Sequence, residues 1–482
     1  MIDIRPVGYI IGWLLGVLGA SMLFPMIADI VAREGHGQEF ASTAIITVVA
    51  GAVLVLACQT AEPRAMSIQQ SFLLATGIWV VFPVFGALPF WFGSPHATYT
   101  DAFFEAMSGL TTTGATVFVG LDSMPAGTLL WRGMLQWFGG LGIVVVAMIF
   151  LPTLKVGGMQ LFRSEGFDTM GKILPRAREI ATSLTSIYLI LTFACFMAYT
   201  WTGMKSFDAL VHTMTTISTG GMANYDASFG IYGAASQYVA TVFMILAALP
   251  FIRFVQLASG SARPLMRDSQ IQAFMLMIVV FVVVLSASLA LRSEGPFERS
   301  FRDVLFNVVS IATGTGYSSA AYDLWGPLAM TMFFVIGLIG GCSGSTACSV
   351  KVFRYQLLFS AVAAEVRRLH SPHRVFTARY QGRTVSREVM NSVMAFFMFF
   401  FLSLAITAVL LVMLGVAPIT AISGAAATLG NIGPGLGDEI GPAGNYAGLS
   451  DTAKWVLATA MLVGRLEVMS IFVIFTAMFW RT

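Results

Sequence analysis

Apolar runs long enough to cross a lipid bilayer recur along almost the whole chain. The stretches 274–291 and 393–414 are two of them, and a crossing takes about 20 apolar residues. Only 11% of the 482 residues are charged and 57% are hydrophobic, so polar surface is too scarce to coat a soluble globule of this size. In hydrocarbon a backbone must satisfy its own hydrogen bonds, which favours helices. The sequence therefore predicts an all-α integral membrane protein.

Hydropathy predicts ten full spans, at 7–31, 42–58, 68–92, 129–151, 181–203, 237–259, 270–291, 327–359, 388–414 and 452–480. The first lacks the basic cluster and small-residue cleavage site of a secretory leader, and reads as a retained span. Four semi-apolar stretches, 100–110, 206–218, 300–312 and 418–429, are too short to cross. With the N-terminus inside, the inward-facing segments hold most of the Lys and Arg. Only Arg33, Arg132, Lys205, Arg292, Arg299, Arg302 and Lys454 fall outside, and Arg465 lies within a span. Both termini are then cytoplasmic, and all four short stretches lie on the outer side. The net charge of +3 adds little to this. Cys58, Cys195, Cys342 and Cys348 sit in or beside apolar runs without metal-ligand spacing, as buried thiols do.

Each short stretch ends in a related peptide. The four are Gly109-Leu-Thr-Thr-Thr-Gly114-Ala-Thr, Thr216-Ile-Ser-Thr-Gly-Gly221-Met, Ile311-Ala-Thr-Gly-Thr-Gly316-Tyr and Thr428-Leu-Gly-Asn-Ile-Gly433-Pro. Their glycines recur at intervals of roughly 100 residues, the mark of an internal repeat. The predicted fold is four pseudo-repeated span–pore helix–loop–span units round one pore, plus two extra N-terminal spans. The divisions fall at 1–66 for the extra spans and at 67–180, 181–268, 269–387 and 388–482 for the repeats.

Irregular backbone at membrane depth must be buried in protein or line a watery cavity. Four loops facing one another meet that condition. A half-span of about 11 residues reaches about 16 Å, and its partially negative C-terminal end arrives near mid-membrane. Returning in extended form, each loop can aim carbonyls at an axis, where they replace the water shell of a monovalent cation. Glycine tolerates the backbone angles that alternating carbonyls need. Thr113, Thr219 and Thr315 each precede a loop glycine and offer hydroxyls. The loops hold no carboxylate ring, which argues against a Ca²⁺ pore and a proton relay. Broken helices packing on small residues are the alternative, but they do not predict a fourfold repeat. Asp101, Glu105, Asp122, Asp208, Asp226, Asp303, Asp323, Asp438 and Glu439 lie near the outer side, either to concentrate cations or as ordinary solvated loop residues.

These features resemble the Trk/Ktr/HKT superfamily of K⁺ transporters, and in detail the TrkH type, over nearly the full length. The two extra spans match, as do Gly157-Gly-Met-Gln-Leu-Phe-Arg163, Pro175-Arg-Ala-Arg-Glu179, Ile432-Gly-Pro-Gly-Leu-Gly437 and Gly464-Arg-Leu-Glu467. The resemblance implies gated K⁺ uptake across a bacterial inner membrane, with K⁺ as cargo and no covalently bound cofactor. It implies a homodimer and a cytoplasmic, nucleotide-binding TrkA-type partner. Carried over by position, the filter is Thr112-Thr113-Gly114, Thr219-Gly220-Gly221, Gly314-Thr315-Gly316 and Asn431-Ile432-Gly433. The first two residues of each triplet would supply carbonyls. The third loop also permits Gly314 in the glycine role; Gly316 is preferred because Tyr317 follows it. In the plant branch a Ser in the first loop accompanies Na⁺ preference, so Gly114 favours K⁺.

Two features lie beneath this filter. Gly337-Leu-Ile-Gly-Gly-Cys-Ser-Gly-Ser-Thr-Ala-Cys-Ser-Val-Lys351 interrupts a run too long for one straight span, and so many Gly and Ser residues weaken a helix. It reads as a broken helix, or as a helix packed through small residues. In the resemblance it is the loop that occludes the pore, which assigns a gate to Gly340, Gly341, Ser343, Gly344, Ser345 and Lys351. Ala347-Cys348-Ser349 stands where relatives usually carry glycines. Arg465, buried in an apolar span, should face the pore. The resemblance makes it a cationic barrier and part of the gate; a structural Arg bound to helix-end carbonyls is the alternative. Glu467, two residues on, cannot share its helical face. The basic loop with Arg367, Arg368, Arg374, Arg379, Arg383 and Arg387 suits anionic lipid or a partner surface. His370 and His373 there read as solvated, and nucleic-acid binding is not expected.

The competing readings are a Na⁺-coupled or non-selective cation transporter, a secondary transporter of organic solutes and a membrane enzyme. Solute transporters commonly use inverted repeats and a side-chain pocket. An enzyme is disfavoured because no paired carboxylates, His–Glu metal motif or nucleophile elbow occurs in the spans.

Overall fold

The computed structural model describes residues 2–33, 35–59, 66–149, 177–291, 296–371, 373–374 and 376–480. The inner-loop motif at 157–163 and the start of the one at 175–179 lie outside these residues. So do the cations Arg64, Lys155, Arg163, Lys172, Arg176, Arg292 and Arg481.

The described chain is mostly helical. The one strand pair among the described residues is a two-residue antiparallel hairpin, with Arg379 opposite Thr384 and Tyr380 opposite Arg383. Among the described residues, six helices are long and apolar enough to cross a membrane: Arg5–Ala32, Gly37–Cys58, Ile68–Phe92, Glu179–Trp201, Ser269–Ala290 and Arg387–Met413. Large apolar side chains on them face outward, as Phe193 (64% exposed), Val283 (61%) and Met398 (67%) do. Lipid, not water, suits such a surface. The first two helices cross closely through glycine: a Cβ on Gly51 would sit 2.6 Å from the Gly12 carbonyl oxygen. A further helix, Ala126–Ile149, matches the span expected at 129–151 as far as the described residues extend.

Three expected spans are not continuous. The run at 237–259 is Ala234–Ala247 and Phe251–Ala258, bent by 91°. Pro250 has no N–H to continue the helix and disfavours helical geometry at Leu249. The freed groups find partners in the segment 340–351. Ala248 O accepts from Cys342 N (3.1 Å), Ala247 O from Thr346 N (3.3 Å) and Thr346 Oγ1 (3.0 Å), and Phe251 N donates to Gly344 O (2.9 Å). The run at 327–359 is likewise broken, into Pro327–Ile339 and Val352–His370. The last run stops at Arg465 and resumes as Met469–Ile474 and Ala477–Trp480. Between them Glu467 and Val468 take φ of +58° and +30°, which is costly for a β-branched residue.

The four short stretches are the helices Tyr99–Leu110, Ser206–Ile217, Phe297–Thr313 and Pro418–Leu429. Thr98 caps the first, its hydroxyl accepting from Asp101 N, and proline opens the fourth. All four are buried through their C-terminal turns.

Candidate functional site

Each half-helix ends in the same way. Thr113 N donates to Ser108 O (2.9 Å), Gly220 N to Thr215 O (2.8 Å), Thr315 N to Ser310 O (2.8 Å) and Ile432 N to Ala427 O (2.9 Å). The triplets share one dihedral pattern. Thr112, Thr219, Gly314 and Asn431 have φ of +53°, +50°, +76° and +50°, and Gly114, Gly221, Gly316 and Gly433 have +82°, +73°, +84° and +100°. The residue between them is not left-handed. Gly314 thus occupies the place of Thr112, and Gly316 that of Gly114.

The four triplets touch in cyclic order. A Cβ on Gly114 would overlap Gly220 O, one on Gly221 would overlap Thr315 O, and one on Gly316 would overlap Ile432 O. A Cβ on Gly433 would lie 2.7 Å from Thr113 O, which closes the ring. All twelve triplet residues named from the sequence are therefore gathered at one place, with four helix C-termini directed to it.

Side chains behind the ring hold it. Thr113 Oγ1 pairs with Thr111 Oγ1 (2.7 Å) and accepts from Asn431 Nδ2 (2.9 Å), and Thr315 Oγ1 pairs with Thr313 Oγ1 (2.7 Å). Thr219 Oγ1 donates to Ser218 O (2.7 Å). These hydroxyls, expected beside the carbonyls, are engaged with protein. The Tyr317 hydroxyl bonds Thr215 and Thr216, and the Tyr446 hydroxyl donates to Gly433 O (2.7 Å). Sequence reasoning does not single out Gln136. Its Nε2 donates to Gly220 O (2.6 Å) and its Oε1 accepts from Met222 N (3.1 Å). A lone amide inside an apolar span is the signal that could have found it.

A cavity of about 300 Å³ opens on one side of the ring, lined by all four triplet glycines and by Arg132 and Tyr446. Of the acids expected there, several are bound to protein. Glu105 is buried, pairs with Arg132 (2.7 Å) and accepts from Val117 N (3.0 Å). Asp101 pairs with Lys454 (2.6 Å), and Asp208 accepts from Asn224 (2.8 Å) and Tyr225 (3.0 Å). Asp226 lines the cavity and accepts from Gly120 N and Leu121 N. In the short turn Tyr322–Trp325, burial raises the Asp323 carboxyl above its ordinary range, and Asp438 adds to the rise.

On the other side lies the segment 340–351, with Gly340, Gly341, Ser343, Gly344 and Ser345 in it and Lys351 at its end. Cys348 Sγ is 3.8 Å from Thr112 Oγ1, and a Cβ on Gly314 would lie 3.6 Å from Cys348 N. Ala347-Cys348-Ser349 thus includes the part of the segment that meets the ring. Arg465 is buried and bonded to Cys348 Sγ, Thr346 O (3.5 Å) and Gly139 O (3.3 Å). Glu467 takes Lys351 (3.0 Å) and Arg354. The Arg354 guanidinium also lies 3.7 Å from the centre of the Phe396 ring. Lys351 and Arg354 are three positions apart and meet one acid, a spacing visible in the sequence.

A helical chain with lipid-facing apolar spans and four half-helices meeting end to end is a multi-span membrane protein with one central convergence. The family model of TrkH, described as a cation transport protein, matches residues 36–482. The chain belongs to the TrkH family. It is 41% identical to the Trk system potassium uptake protein TrkI of Halomonas elongata, over 97% of this chain and 95% of that one. It is 36% identical to the Trk system potassium uptake protein TrkH of Escherichia coli, over 99% of each. The crystal structure of the potassium transporter TrkH from Vibrio parahaemolyticus superposes with a TM-score of 0.91 over 100% of both chains at 35% identity.

Proposed function

We propose that this chain carries K⁺ across a bacterial inner membrane through a single gated pore. Four span–pore helix–loop–span units surround the pore, divided at 67–180, 181–268, 269–387 and 388–482. The two N-terminal spans stand outside them, and both termini face the cytoplasm. The observation that carries this reading is the cyclic approach of each triplet glycine to the next loop's carbonyl. Only backbone can pack so closely, and closely packed carbonyls can replace the hydration shell of K⁺.

In this reading K⁺ gathers in the outer cavity and sheds water at the carbonyls of Thr112 and Thr113, Thr219 and Gly220, Gly314 and Thr315, and Asn431 and Ile432. The half-helix ends add negative potential. The segment 340–351 then blocks the inward path, and Arg465 places a positive charge beside it. Opening requires the segment to leave the broken helix at Ala247 and Ala248. A cytoplasmic nucleotide-binding partner of the TrkA type would act through the helix Val352–His370, and the unit is a homodimer. A Na⁺-coupled or less selective cation transporter is the alternative.

The test is K⁺-limited growth and uptake in a host without its own K⁺ uptake systems. Wild-type chain should restore growth, and uptake measured in K⁺, in Na⁺ and in both should favour K⁺. Failure to restore growth with the protein present in the membrane would count against the reading, and Na⁺-dependent K⁺ uptake would favour the alternative.

A further inference from the structure

Thr113 O, Gly220 O, Thr315 O and Ile432 O form one level of the ring, each facing a neighbouring loop's glycine. The level is not chemically even. Gly220 O accepts from Gln136 Nε2 at 2.6 Å. No donor among the described residues bonds Thr113 O, Thr315 O or Ile432 O. Gln136 is fully buried, and its amide orientation is set by Met222 N, which needs Oε1 as its acceptor. Nε2 must therefore face Gly220 O. The helix Ala126–Ile149, which follows the first loop, thus reaches across to grip the second.

We infer that Gln136 is an affinity-tuning, positioning residue that weakens one of the four carbonyl ligands at this level. The inference rests on the K⁺-pore reading. An N–H at hydrogen-bond distance occupies a lone pair and places positive charge beside the oxygen, so less of its field reaches an ion. A level with three strong ligands and one weak ligand holds K⁺ less tightly and releases it faster.

The experiment replaces Gln136 by side chains of similar size that cannot donate, Gln136→Leu and Gln136→Met. Saturable K⁺ and Rb⁺ uptake is measured in the host lacking K⁺ uptake systems, normalised to protein in the membrane. The expected result is a KM for K⁺ lowered roughly three- to tenfold, together with a lower maximal rate. If one variant fails to reach the membrane, the other carries the measurement. An unchanged or raised KM, or loss of all uptake at normal membrane level, would overturn the inference, because Gln136 would then only hold the loop. Wild-type chain without K⁺ uptake would instead overturn the pore reading itself.

Discussion

Glu467 accepts a hydrogen bond from Lys351 Nζ at 3.0 Å, with both side chains buried. The same carboxylate takes Arg354, so one acid holds two cations at the end of the segment 340–351. Glu467→Gln removes the charge that both cations share, and breaking a buried pair costs about 3–5 kcal/mol. The purified variant should melt at a lower temperature. Adding Lys351→Met should recover part of the loss, and a double-mutant cycle measures the coupling. Equal melting of Glu467→Gln and wild type would show that the carboxylate does not anchor the segment.

Arg465 sits against Cys348 and Thr346 of that segment. Arg465→Ala should raise cation uptake per protein, because the buried positive charge is gone. Unchanged or lower uptake in a correctly folded variant points to a role in holding carbonyls only.

Gly114 combines φ of +82° with no room for a Cβ beside Gly220 O. Gly114→Ser should therefore reduce K⁺ uptake and its preference over Na⁺. Gly233→Ser is the control, since no atom lies within 4 Å of a Cβ there. A Gly114→Ser chain with wild-type K⁺ preference would place the selective step elsewhere.

Arg132 and Glu105 are 2.7 Å apart and buried, with Arg132 also donating to Ala223 O at 2.7 Å. The pair joins the exits of the first and second loops. Arg132→Met strands the Glu105 carboxylate and should destabilise the protein by about 3 kcal/mol, seen as a lower melting temperature and less uptake. A fully stable variant would mean that Glu105 finds another partner.

Much of the fold is legible locally. The half-helices stand out by being too short to cross, and the observed Tyr99–Leu110 and Pro418–Leu429 differ little from the stretches expected at 100–110 and 418–429. The break at 340–351 follows from its Gly and Ser content. Hydropathy misses the break at Pro250, because it averages over a proline and reads the apolar flanks as one span. The sequence also groups the acids expected on the outer side, yet Glu105 and Asp101 each pair with a cation on another helix.

The sequence by itself determined which segments are apolar enough for lipid, which are too short to cross and where glycine is required. These follow from apolar length and backbone sterics within a few residues. The tertiary structure alone decided which groups meet. Gln136 finds Gly220 from 84 positions away, and Glu467 finds Lys351 from 116. A buried polar group must take a partner, but which partner depends on how the helices cross, and no local pattern encodes that.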